Sequence, residues 1–191
     1  MASILLLDNY DSFTYNLYHY VDEFGKHTVE VVRSDCIEIE QVSKHDGIIL
    51  SPGPGLPKDA GLLLPIIREF YKTKRIFGVC LGLQAIAENF GASLLNIETV
   101  FHGVATPMRI LEPRHYLFDD IDDTFVAGRY HSWVVDPDTV PQYLAVNAVD
   151  ENNQIMAMSH NRFDICGVQF HPESILTLKG KKMIFNWLKR F

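Results

Sequence analysis

The sequence predicts an α/β fold, an open, mostly parallel central sheet with helices on both faces and an antiparallel extension. Three observations predict it. From the N-terminus to Gly91, short apolar runs alternate with helix-period segments, the signature of βαβ units. The stretches "DNYDS", "SPGPG" and "CLG" follow three of those apolar runs, where parallel sheets place ligands. The second half holds short β runs separated by turn residues and one closing helical pattern.

Taken in order, "SILLL" reads as a buried strand ending in the loop "DNYDS". "FTYNLYHYVDEF" reads as a helix, with Phe13, Leu17, Tyr20, Val21 and Phe24 at helical spacing and Gly25 as its stop. "TVEVVR" and "DGIIL" are the next strands, the latter running into "SPGPGLP". "GLLLPIIREFY" reads as a helix kinked or restarted at Pro65. "RIFGVC" is a fourth strand, and "LGLQAIAENFG" an amphipathic helix. "TPMRIL", "FVAGRYHSWVV", "YLAVNAV", "QIMAMSH" and "DICGVQF" read as β runs in antiparallel hairpins that extend or flank the sheet. "GKKMIFNWLKRF" closes the chain as a helix with Met183, Ile184, Trp187 and Leu188 on one face. With 191 residues and no linker or repeat, one domain over 1–191 is expected.

The chain is 47% hydrophobic and 21% charged, enough apolar material for a core. A net charge of -7 argues against nucleic acid or an acidic membrane surface as partner. Three unpaired cysteines, Cys36, Cys80 and Cys166, do not form a disulfide framework. The apolar run Ile4–Leu7, ended by Asp8, is too short for a leader, so a cytoplasmic protein is expected. Cys166, inside a predicted strand, reads as core.

Cys80 ends a strand where a helix begins. A free thiol ionises near pH 8.5, and a helix mouth favours the thiolate while offering N–H groups to an oxyanion. Gly82 permits the tight turn. Taken alone, Cys80 fits either a nucleophile or a buried core thiol. A nucleophile needs a base and an orienting acid. His171, with Glu173 two residues on in "GVQFHPES", can supply both; taken alone it reads more readily as a surface histidine in a loop. "SPGPG" is either a rigid donor loop or a plain turn. His102 and His131 lack ligand spacing, and no metal site is expected. "DNYDS" is expected to cap the next helix through Asp11 or Ser12 and to touch a partner.

"LLLDNYDSFTYNL", "LSPGPG", "GVCLG" with "AIAE", "GRYHS" and "GVQFHPES", in this order, resemble the class I (triad) glutamine amidotransferases. The likeness is nearest to the small subunits of anthranilate synthase and aminodeoxychorismate synthase. It implies a Cys80–His171–Glu173 triad hydrolysing glutamine through a thioester. It also implies an oxyanion hole of the Gly53 and Leu81 N–H groups, and glutamine contacts at Gly55, Gln84, Ser132 and Trp133, the last two through backbone atoms. The implied partner is a large chorismate-binding subunit, which receives the ammonia and uses magnesium; no cofactor is expected in this chain. Two other readings are an amidotransferase for a different acceptor and an impaired regulatory subunit. Leu83 stands where the family has a histidine beside the nucleophile, Val104 where a lysine is usual, and Trp133 where leucine is common.

Overall fold

A computed structural model describes all residues, 1–191. Five strands form the parallel half of a nine-stranded sheet: β1 (Ser3–Asp8), β2 (Thr28–Arg33), β3 (Gly47–Leu50), β4 (Arg75–Val79) and β11 (Ile165–Val168). Four more continue it antiparallel: β6 (Val104–Ile110), β7 (Thr124–Arg129), β9 (Leu144–Asp150) and β10 (Ile155–His160). The order is β2-β1-β3-β4-β11-β10-β9-β6-β7. β5 (Leu94–Asn96) and β8 (Trp133–Val135) pair separately. The helices are α1 (Thr14–Phe24), α2 (Ile39–Val42), α3 (Leu63–Phe70), α4 (Leu81–Asn89) and α5 (Gly180–Leu188).

The period of two along β1 explains the layers. Ile4 and Leu6 pack with Leu17 and Val21 of α1 and with Met183, Ile184 and Trp187 of α5. Leu5 and Leu7 face the other way, against Leu63 and Ile66 of α3 and Ala85 and Ile86 of α4. All four β1 residues are fully buried. At about 1.5–3 kcal/mol for each large apolar side chain buried, this two-sided packing makes the centre of the sheet a rigid base for the loops beyond it.

Several expectations change. β11 does not close an antiparallel hairpin on both sides: it pairs parallel with β4 and antiparallel with β10, so it is the seam between the halves. "FVAGRYHSWVV" is two strands in two sheets, interrupted at residues 130–132. α3 is one continuous helix that starts at Leu63, so Pro65 lies in the first turn, where its missing N–H has no intrahelical partner to lose. α4 is not amphipathic at its start, because Leu81–Ala87 are all buried between sheet and neighbours.

Candidate active site

Backbone contacts fix Cys80. Its N–H donates to Val168 O (2.8 Å) and its carbonyl accepts from Gln84 N (3.1 Å), so it is the N-cap of α4. Its backbone lies at φ 51°, ψ −101°, a left-handed conformation that costs a non-glycine residue on the order of 1–3 kcal/mol. Burial of Leu81, Leu83 and Ile86 just beyond it offsets that strain. The sharp turn depends on Gly82, where a Cβ would lie 2.5 Å from Leu50 O. Leu81, first in the helix, has no carbonyl a turn ahead to accept its N–H.

His171, the expected base, arrives from the seam strand. His171 follows β11; its N–H donates to Gly128 O (2.9 Å), and its carbonyl accepts from Thr177 Oγ1 (2.7 Å). The ring lies against Tyr130 (centroids 4.7 Å apart) and edge-on to Phe13 (5.8 Å). Nδ1 is 2.7 Å from Glu173 Oε1, with both side chains buried. Burial alone would lower the His171 pKa; the hydrogen bonding and charge of Cys80 and Glu173 outweigh it and hold the imidazole well above its usual range. Nε2 makes no aligned hydrogen bond, although the sulphur is close enough to act on the ring's charge. Such looseness is usual before substrate binds.

Two cavities meet at Cys80. One, of about 320 Å³, is lined by Gly53, expected in the oxyanion hole, and by Gly55, Gln84, Ser132 and Trp133, expected to contact glutamine. The other, of about 380 Å³, is lined by Tyr10, Asp11, Phe13, Pro54, His102 and His171. The three expected loops therefore do share one crevice. Asn9 ties two of them together, its N–H donating to Ser51 Oγ (2.8 Å) and its Nδ2 to Ser51 O (3.0 Å). Gly55 takes φ +74°, which suits glycine. A cavity of about 630 Å³, larger than either, is lined instead by Met1, Asp46 and Arg75 near the strand starts.

The carbonyls of residues 132 and 133 are already used within the chain. Ser132 O accepts from Ile97 N (2.8 Å), and Trp133 O accepts from Gln84 Nε2 (3.0 Å). His131 lines the same cavity as Ser132 and Trp133. Arg129 Nε donates to its Nε2 (3.1 Å), which places the ring proton on Nδ1. Burial, then the Arg129 charge, push its pKa down to about 3, so the ring is neutral at working pH. Arg129 is itself buried against Asp150 (2.7 Å) and Gln154 (2.6 Å), with its guanidinium over Phe101.

Other sequence expectations fall as follows. Asp11 receives the Phe13 N–H (2.8 Å) just ahead of α1 but caps no residue within it, whereas Asp8, unassigned from sequence, accepts from Thr14 Oγ1 and Tyr10 N. Leu83 is fully buried against Ala87, Val135 and Met158 and lines neither cavity at Cys80. Val104 is exposed at the start of β6. Burial pushes the Cys166 thiol up to about 12, as befits a core residue. Cys36 is exposed, and its bond to Asp35 raises its pKa. Gln169, present in "GVQFHPES" but given no role there, is fully buried and donates to Cys80 Sγ (3.5 Å). Its apolar neighbours Val168 and Phe170 masked it.

Comparison with known proteins gives concordant results. The family model for glutamine amidotransferase class-I matches residues 5–191. The chain is 42% identical to the aminodeoxychorismate/anthranilate synthase component 2 of Bacillus subtilis, covering 98% of this chain and 96% of that one. It is 42% identical to the aminodeoxychorismate synthase component 2 of Escherichia coli, covering 98% and 100%. A solved glutamine amidotransferase of Thermotoga maritima superposes with a TM-score of 0.80 at 13% identity, over 99% and 97% of the two chains, which speaks for the fold alone.

Proposed function

Because the chain belongs to the class-I glutamine amidotransferase family, we propose that it is the glutamine-hydrolysing subunit of a chorismate-aminating synthase. Its activity is that of a glutamine amidotransferase, and residues 1–191 form its one amidotransferase domain. The observation that carries the proposal is the meeting of Cys80, the His171–Glu173 pair and Gln84 around adjoining cavities.

The Cys80 sulphur attacks the side-chain carbonyl carbon of glutamine, with its proton held on His171. The negative charge that develops on oxygen is met by the N–H groups of Gly53 and Leu81. The intermediate collapses as the C–N bond breaks, and His171 gives its proton to the departing ammonia. Water, losing a proton to His171, then attacks the thioester. The C–S bond breaks, glutamate leaves and the thiol is restored. Glu173 holds the imidazole so that Nε2 faces the sulphur. Gly55, Gln84, Ser132 and Trp133 form the wall that positions glutamine.

Ammonia passes to a larger chorismate-binding subunit, yielding anthranilate or 4-amino-4-deoxychorismate. Magnesium belongs to that partner, and this chain works without a cofactor of its own. The relatives named above are component 2 proteins, which supports a heteromeric assembly, and three cysteines without a disulfide fit the cytoplasm. The test is reconstitution with the large subunit, chorismate and glutamine. The intact pair releases glutamate and aminates chorismate. With Cys80→Ser, glutamine use falls at least about a thousand-fold while added ammonia is still used. Glutamine-dependent product at the wild-type rate from that variant would refute the proposal.

A further inference from the structure

Building on the glutaminase reading, we propose that Gln169 is a second-contact residue for the nucleophile: one buried side-chain amide joins the glutamine-binding residue Gln84 to the Cys80 sulphur. Its Nε2 donates to Cys80 Sγ (3.5 Å), and its Oε1 accepts from Gln84 Nε2 (3.2 Å). Gln84 gives its other amide proton to Trp133 O (3.0 Å). The polarity of this chain is set from the wall inward. The Trp133 carbonyl can only accept, so it fixes the NH₂ end of Gln84. That end in turn requires an acceptor, which fixes the Gln169 carbonyl. The remaining end of Gln169 is an N–H₂, and it faces sulphur.

Reversing Gln169 would set two N–H₂ groups against each other and a carbonyl dipole against a sulphur that becomes negative; reversing Gln84 would set its carbonyl against those of Trp133 and Gln169. The backbone holds Gln169 as firmly as its side chain. Its N–H donates to Met156 O (2.9 Å), and the preceding Val168 carbonyl accepts from Cys80 N (2.8 Å). The residue is fully buried, so no solvent competes for its amide.

Two consequences follow. The thiolate gains an N–H donor that His171 does not supply. Both protons of Gln84 are engaged inside the wall, which leaves its Oε1 for an N–H donor in the pocket, such as the ammonium or carboxamide of glutamine. Gln169 thus acts on chemistry through sulphur and on binding through Gln84.

Two substitutions separate the roles. Gln169→Glu keeps an acceptor for Gln84 but loses the donor to sulphur; Gln169→Met loses both. In the full chain, iodoacetamide alkylation of Cys80 at about pH 8, followed on the Cys80 peptide, reads the sulphur directly. The alkylation rate is expected to fall about tenfold in both variants. In glutamine turnover with the partner, Gln169→Glu lowers kcat with KM nearly unchanged, whereas Gln169→Met also raises KM several-fold. Wild-type alkylation rates in variants that retain native near-ultraviolet circular dichroism would overturn the proposal, as would an equal rise in KM in both. If Gln169→Met fails to fold, alkylation of Gln169→Glu decides. The alkylation arm needs no glutamine hydrolysis, so a chain inactive on glutamine would refute the functional reading without obscuring this result.

Discussion

The parallel and antiparallel halves of the sheet supply different parts of the site by different physical means. In the parallel half, Cys80 is placed by packing: Ile76–Val79 of β4 and Leu81–Ala87 of α4 are buried, and the Cys80 backbone bonds to β11 and to the next helical turn. In the antiparallel half, the wall at residues 129–133 is placed by polar contacts. Arg129 bonds to Asp150, Gln154 and His131, and the Trp133 carbonyl bonds to Gln84. His171 stands at the seam and draws on both, through β11 before it and Gly128 of β7 beside it. Apolar burial can hold a reacting atom in a strained backbone. A substrate wall must expose polar groups, so hydrogen bonds have to hold it.

That contrast can be broken at the seam first. Glu173→Gln should lower kcat by about 10²–10⁴, because the imidazole loses its orienting charge, while α4 and its thiol stay in place. Steady-state kinetics of the assembled enzyme checks the rate. The same variant carries a pH signature. The folded-state pKa of His171 lies above its ordinary 6.5, so its stabilising contribution is fully present below that value and is lost as pH rises through the folded pKa. The melting-temperature gap between wild type and Glu173→Gln should therefore be widest below pH 6.5 and narrow on the alkaline side. A gap that widens with pH would contradict the assignment.

A cut in the antiparallel half comes next. Arg129→Met strands the buried Asp150 carboxylate and should cost about 3–5 kcal/mol in stability, measured by urea unfolding. Because His131 and the wall lose their anchor, KM should rise more than kcat falls. An unchanged KM would mean that packing holds the wall too. The smallest effect is expected at Trp133→Leu. The indole is partly exposed and it is the backbone carbonyl that engages Gln84, so KM should move no more than about threefold.

The parallel half was legible because its code is local. Alternation in "SILLL", the glycine stops and the loops at strand ends each report a conformation set by neighbours in sequence. The proposed triad was legible only as separate pieces: nothing in the spacing of Cys80 and His171 says that they meet, and the family resemblance supplied that link. The antiparallel half was legible as strands but not as pairings. "FVAGRYHSWVV" has continuous β composition, and its break at residues 130–132 comes from where Arg129 is anchored and where β8 finds β5. Gln169 was hidden for a related reason. A glutamine between Val168 and Phe170 looks like the outward face of a strand, and only the fold shows it buried beneath a sulphur atom. Leu83 teaches the converse, since proximity to Cys80 in sequence placed it near the chemistry while the helix turns it into the core.

The central claim is that the Cys80 sulphur attacks the side-chain carbon of glutamine. A diazoketone analogue of glutamine, which alkylates the group that attacks at that carbon, tests it most directly when the modified peptide is identified by mass spectrometry. The account predicts a single label on Cys80, blocked by excess glutamine and slowed by Glu173→Gln. A label on Cys36 or Cys166, or labelling of Cys80 that glutamine does not prevent, would contradict it.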